Sequence, residues 1–361
     1  MPDLFDPVRL GRLWLPNRLV MSPMTRSRAD RHGVPGPEAA AYYAQRATAG
    51  LIITEGVQPS VAGQGYPGTP GLHADEQAEG WRAVTRAVHE AGGRIFAQLM
   101  HTGRIGHPSL HGLRPVAPSP VRAAGQVFTA DGRQDLPTPR GLTATEIRAT
   151  IADFAGAARR AVHAGFDGVE LHGGNGYLVH QFLAPGTNRR SDAYGRDRIR
   201  FAVELARATA GAIGGDRVGL RITPGNPLND ITEDEDDVEE TYPALVDTLA
   251  PAGLAYLHVA GVAPGSPLAG KIRASWPGTL VVVPGSGGDM PADGGRAEGE
   301  RWLEHGADLV AFGRAFLANP DLVERLRTGV PLNRPDPATY YGGGTRGYTD
   351  YTPAPVARTR F

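Results

Sequence analysis

Short aliphatic runs alternate along the chain with longer stretches whose apolar residues recur every three or four positions. The runs lie at 18–21, 51–54, 94–100, 168–171, 218–222, 255–259, 280–283 and 309–312. Runs this short and this largely apolar read as buried strands. Between and after them the pattern predicts helices over 37–49, 76–91, 145–164, 199–212, 238–249, 266–276, 298–305 and 319–328. The third helix is marked best. Thr143 and Glu146 have capping-box spacing, Ile147, Ile151, Phe154, Ala158 and Val162 share one face, and Gly165 follows as a stop. Strands alternating with helices imply parallel pairing through helical crossovers. Eight such units predict an α/β chain folded as a (β/α)8 TIM barrel, one domain over residues 1–361. An open doubly wound sheet shows the same alternation and is the alternative. The Pro-rich segment 101–144 breaks the rhythm between the third strand and third helix, and it is expected to form a lid or hairpin over the barrel mouth.

Composition narrows the function classes. The 361 residues carry 37 basic and 38 acidic side chains, a net charge of −1, which does not fit a nucleic-acid binder. The absence of Cys excludes disulfides, thiolate metal sites and a Cys nucleophile. No apolar run approaches the ~20 residues of a membrane span, and the opening MPDLFDPVRLG has no secretory pattern. A cytoplasmic protein that engages no membrane, as a monomer or small homo-oligomer, is expected.

In a barrel, chemistry belongs at the C-terminal ends of strands, and the polar residues out of place in apolar runs lie there. Gln98 ends the third run. His172, Asn175 and Tyr177 follow the fourth, Arg221 interrupts the fifth, and Gly313-Arg314 follows the eighth. A buried arginine needs an anion or several acceptors. It either pairs with Glu170 on the neighbouring strand or offers a fixed charge to an electron-rich ligand. The Gly-rich turn 284–288 and Gly313-Arg314 occupy the two loops where barrels commonly hold phosphate. His172 and Asn175 can donate to one carbonyl or nitro oxygen, and Tyr177 supplies a weak acid. His101 and His258 are isolated histidines, so no metal site is expected. The acidic run from Glu233 to Glu240 reads as a solvated helix start.

Longer strings then carry a resemblance. MSPMTRSRA (21–29), LIITEG (51–56), GYPGTPGLH (65–73), QLMHTGR (98–104), RPVAPS (114–119), ELHGGNGYLVHQFL (170–183), AFGRAFLANPDLVERL (311–326) and YGGGTRGYTDY (341–351) resemble the Old Yellow Enzyme family of flavin-dependent ene-reductases. The likeness runs from residue 3 to about 353. It is strongest to the branch of pentaerythritol tetranitrate, morphinone and N-ethylmaleimide reductases. It implies non-covalent FMN at the barrel mouth, reduced by NADPH or NADH. Hydride would pass from flavin N5 to the β-carbon of enones, enals or maleimides, with the proton for the α-carbon coming from Tyr177. Pro23, Met24, Thr25 and Gly56 would line the flavin, Gln98 and Arg221 would meet its pyrimidine edge, and Gly287, Gly288, Gly313 and Arg314 would hold the phosphate. His172 and Asn175 would bind the substrate oxygen, with Tyr66, Met100 and Tyr351 shaping the pocket. Met100 stands where close relatives have tryptophan, which implies a wider pocket. Reduction of nitrate esters or nitroaromatics in the same site is the alternative activity.

Overall fold

The structure is a computed structural model that describes residues 2–285 and 289–354. Eight parallel strands close on themselves: β1 (Leu19–Met21), β2 (Leu51–Val57), β3 (Ile95–Leu99), β4 (Gly168–Gly173), β5 (Val218–Ile222), β6 (Tyr256–Val259), β7 (Thr279–Val282) and β8 (Leu309–Phe312). Closure is made by β8 on β1, where Val310 faces Leu19 and Phe312 faces Met21. The open-sheet alternative is thereby removed. β2 runs three residues beyond the predicted 51–54, because its register shifts between Ile53 and Gly56 and pairing with β3 resumes to Val57.

The barrel interior is filled by Val20, Leu51, Ile53, Phe96, Tyr256, Val281, Leu309 and Ala311. Leu10 and Leu15 join this cluster from an N-terminal antiparallel hairpin that the periodicity did not reveal. Arg12 in its turn donates to Asp216, just before β5, at 2.7 and 2.9 Å, so the hairpin caps the N-terminal end of the barrel. The mouth at the opposite end is left for function.

Helices surround the strands and bury their apolar faces against them. The capping box on Ala144–His163 forms: Thr143 Oγ1 accepts from the Glu146 amide at 3.2 Å, and the Glu146 carboxylate accepts from the Thr143 amide at 2.8 Å. Two boundaries move. The first helix, Pro37–Ala44, stops five residues short of position 49, because the chain must turn sharply into β2. There Gly50 donates to Leu19 O, and a Cβ on it would lie 2.2 Å from Asn17 O. The last helix, Leu322–Thr328, begins after Pro320, whose ring nitrogen cannot donate. A separate short helix, Arg314–Ala318, precedes it. The acidic run also divides. Asp234 caps Glu235–Leu249 through the Asp237 amide at 2.8 Å. Glu233 instead turns inward, with its side chain 2% exposed, against His180 and Tyr242. It belongs to the core and not to a solvated helix start.

Segment 101–144 forms an antiparallel ladder, Gln126–Thr129 with Gly132–Asp135, and a short parallel pair, Val116–Ala117 with Arg140–Gly141. Ile105, Ala123, Val127 and Leu136 make its own small core, against which Tyr66 and Tyr177 pack. Among the described residues no helix is long and apolar enough to cross a membrane.

Candidate active site

A cleft of about 240 Å³ opens at the C-terminal mouth of the barrel. Pro23, Met24 and Thr25 enter it from the end of β1, Gln98 and Met100 from β3, and His172, Asn175 and Tyr177 from β4. Arg221 enters from β5, Arg314 and Leu317 from the segment after β8, and Tyr340 and Tyr341 from the C-terminal strap. Residues separated by up to 318 positions thus share one wall because the barrel brings all its strand ends to one rim.

Arg221 stands in register between His172 and His258. Its Nη1 donates to Ser22 Oγ at 3.2 Å, and its buried Nε has no partner among the described residues. Glu170 is not in contact with it. That carboxylate is taken by Gln98 Nε2 at 2.8 Å, Tyr256 OH at 3.1 Å and His258 Nδ1 at 2.7 Å. Burial draws the guanidinium pKa down, while the nearby Glu170 charge holds it up. A buried guanidinium this poorly satisfied is costly unless an electron-rich group completes its shell. The donor set therefore fits the carbonyl and ring-nitrogen edge of a flavin.

The β4 loop is shaped by Asn175, whose φ of +55° is tolerated by asparagine better than by most side chains. Its amide donates to Thr223 Oγ1 at 2.8 Å, and its backbone carbonyl accepts from Asn229 Nδ2 at 2.8 Å. Asn226 donates to its side-chain oxygen at 3.3 Å, which leaves the Asn175 NH2 turned toward His172. His172 Nδ1 accepts from the Gly174 amide at 3.4 Å, so the ring proton sits on Nε2. Burial and the Arg221 charge push its pKa well below the ordinary histidine value, and the ring is neutral. Two donors, His172 Nε2 and Asn175 Nδ2, lie 3.5 Å apart. They serve each other poorly and converge on one external oxygen.

Tyr177 shares a 3.1 Å hydrogen bond with Tyr66 through their hydroxyls. Burial raises the Tyr177 pKa, opposed by hydrogen bonds from Tyr66 and Asn229. Tyr66 packs edge-on against Tyr177 and is not among the residues that line the cleft. Gly56 makes room for Met100: a Cβ there would stand 2.5 Å from Met100 Cε. Gly313 precedes the short helix and lies against Met24 and Ser22. Tyr351 is also outside the lining, its hydroxyl accepting from the Asp336 amide at 3.2 Å. Tyr340 and Tyr341 stand in the wall, and sequence reasoning missed them although the YGGG string begins at Tyr341. Arg26 fixes their strap through the carbonyls of Thr339, Tyr340 and Gly347 at 2.8–3.3 Å. Gly287 and Gly288 lie outside the described residues.

With this geometry in hand, comparison with known proteins identifies the lineage. Residues 3–333 match the NADH:flavin oxidoreductase / NADH oxidase family. A probable flavin mononucleotide-dependent alkene reductase of Leishmania infantum is 40% identical, over 96% of each chain. A morphinone reductase variant, solved in complex with tetrahydroNAD, superposes with a TM-score of 0.92 at 42% identity, over 100% of both chains. An Old Yellow Enzyme homologue from Zymomonas mobilis superposes with a TM-score of 0.91 at 37% identity, over 97% of this chain and 99% of that one. Fold, cleft and these likenesses agree: the chain belongs to the NADH:flavin oxidoreductase family, in its Old Yellow Enzyme lineage.

Proposed function

We propose that the protein is an FMN-dependent NAD(P)H ene-reductase acting on enones, enals and maleimides. The observation that carries this reading is the buried Arg221 guanidinium, held by Ser22 alone and with its Nε unpartnered among the described residues, beside two converging neutral donors and a protonated phenol. Bound FMN would supply the hydride chemistry, taking electrons from NADPH or NADH and passing them to the alkene β-carbon. Arg221 and Gln98 would hold its pyrimidine edge, and Pro23, Met24, Thr25 and Gly56 would line the ring. Gly313 and Arg314, with Gly287 and Gly288, would hold its phosphate.

His172 and Asn175 fix the substrate oxygen and favour the charge that develops on it. Tyr177, kept protonated, delivers its hydrogen to the α-carbon. Tyr66 steadies the Tyr177 hydroxyl, Met100 sets the width of the pocket, and Tyr351 supports the strap behind Tyr340. The whole chain acts as one unit, with 101–144 as the lid. A cytoplasmic location beside the nicotinamide pool, a monomeric or small homo-oligomeric state, and no engagement of nucleic acid or membrane complete the reading. The near-zero net charge supports the last point.

The test is anaerobic stopped-flow. NADPH or NADH should bleach the yellow protein, and cyclohexenone should restore its colour. Bleaching restored only by a nitrate ester or nitroaromatic compound would transfer the assignment to the nitro reductase activity. A protein that takes up no FMN would end the reading.

A further inference from the structure

Next to Gln98, on strands β4 and β6, lies a buried carboxylate network that the reaction as described does not use. Glu170 is fully buried and accepts three hydrogen bonds, from Gln98, Tyr256 and His258. In register, Gln98 faces Glu170, Glu170 faces Gly219, and Gly219 faces Tyr256. A Cβ on Gly219 would lie 2.2 Å from the Tyr256 ring, so the missing side chain is what lets that phenol cross β5 to reach the carboxylate. Burial pushes Glu170 toward its neutral acid, but His258, Arg221 and Gln98 together hold its pKa below the ordinary carboxylate value. Burial holds His258 below the ordinary histidine pKa. The network therefore contributes one net negative charge, set near one net positive charge on Arg221.

We propose that Glu170 is a positioning residue and charge counterweight that sets the reduction potential of bound FMN. It acts in two ways. It fixes the Gln98 amide, so that Gln98 Oε1 and its second N–H face the cleft with defined polarity. It also offsets the Arg221 charge without touching that residue, which leaves the guanidinium free for the ligand while weakening its pull on added electrons. Two-electron reduction places negative charge on the flavin edge nearest Arg221. A nearby carboxylate opposes that charge, so its loss should favour the reduced cofactor. A purely structural role would weaken both redox states equally and leave the potential unmoved.

The inference rests on FMN occupying the cleft, and the test separates the two claims. The midpoint potential of the FMN-loaded protein is measured by dye equilibration, alongside the Kd for oxidised FMN. Glu170→Gln should raise the ratio of reduced to oxidised affinity about tenfold, a rise of about 30 mV for a two-electron couple. Tyr256→Phe keeps the carboxylate and removes one compensating donor, so it should shift the ratio a fewfold the opposite way. If Glu170→Gln does not fold, Tyr256→Phe decides alone, and an unmoved or raised potential overturns the proposal. Equal weakening of both redox states, or shifts of the same sign in both variants, also overturns it. Wild-type protein that binds no FMN overturns the underlying reading instead.

Discussion

Tyr177 and His172 owe their chemistry to burial. Tyr177 is held above the ordinary phenol pKa, so it carries its proton throughout the neutral range and has no basic limb below about pH 10. His172 is held well below its ordinary value and stays an uncharged donor as pH falls through 6.5. Tyr177→Phe should slow colour recovery with cyclohexenone by about 10²–10⁴-fold while leaving bleaching by NADPH unchanged. Stopped-flow of the two half-reactions, from about pH 6 to pH 9, checks both the size and the flatness of the profile. Equal slowing of the two half-reactions would remove Tyr177 as proton donor. These residues were legible in the chain because each is a polar side chain just beyond an apolar run. Glu170 and Tyr256 were not legible as a unit, since their contact depends on the empty Cα of Gly219 on the strand between them.

Strand and helix positions followed from periodicity wherever packing alone decides them, as in Ala144–His163. Thr143→Ala should cost about 1 kcal/mol in a denaturant titration by leaving the first turn of that helix uncapped. The Glu146 carboxyl is drawn down to about 2 by Arg140 and the Thr143 hydrogen bonds. Its contribution is present above its ordinary value of 4.5 and is lost as pH falls through about 2. Where tertiary demands override local pattern, the chain alone was silent. The N-terminal hairpin is too short to show alternation, and Pro37–Ala44 stops where Gly50 must pass Asn17. The β2–β3 contact makes a sharper case. Gly56→Ala would drive the Met100 thioether toward the cleft, so FMN occupancy should fall severalfold, read from the ratio of visible to protein absorbance. Adding Met100→Ala should restore it, and failure to do so would place the defect in the β2 bulge.

Segments from early and late in the sequence meet at the cleft. Pro23, Met24 and Thr25 form one part of its wall and Tyr340 and Tyr341 another, joined through Arg26 and by the stacking of Tyr42 on Tyr348 at 4.2 Å. Arg26→Ala would strip donors from three carbonyls and should cost about 2–4 kcal/mol. It should also make residues 337–350 the first site of limited proteolysis. Unchanged cleavage would mean that the aromatic stack holds the strap by itself. The barrel and its rim were readable from the sequence because eight runs carry the same signal. The strap was only half readable, since its Gly-rich string named the right segment but not which tyrosine enters the wall. Closure by β8 on β1 has a further bearing on synthesis. Until β8 has been made, a nascent polypeptide exposes the free edges of β1 and β7, a template for intermolecular pairing. A cleft that takes Pro23 from one side of the closing seam and Tyr340 from beyond the other is complete only after that seam has formed, so the vessel can hold nothing until its first and last staves are joined.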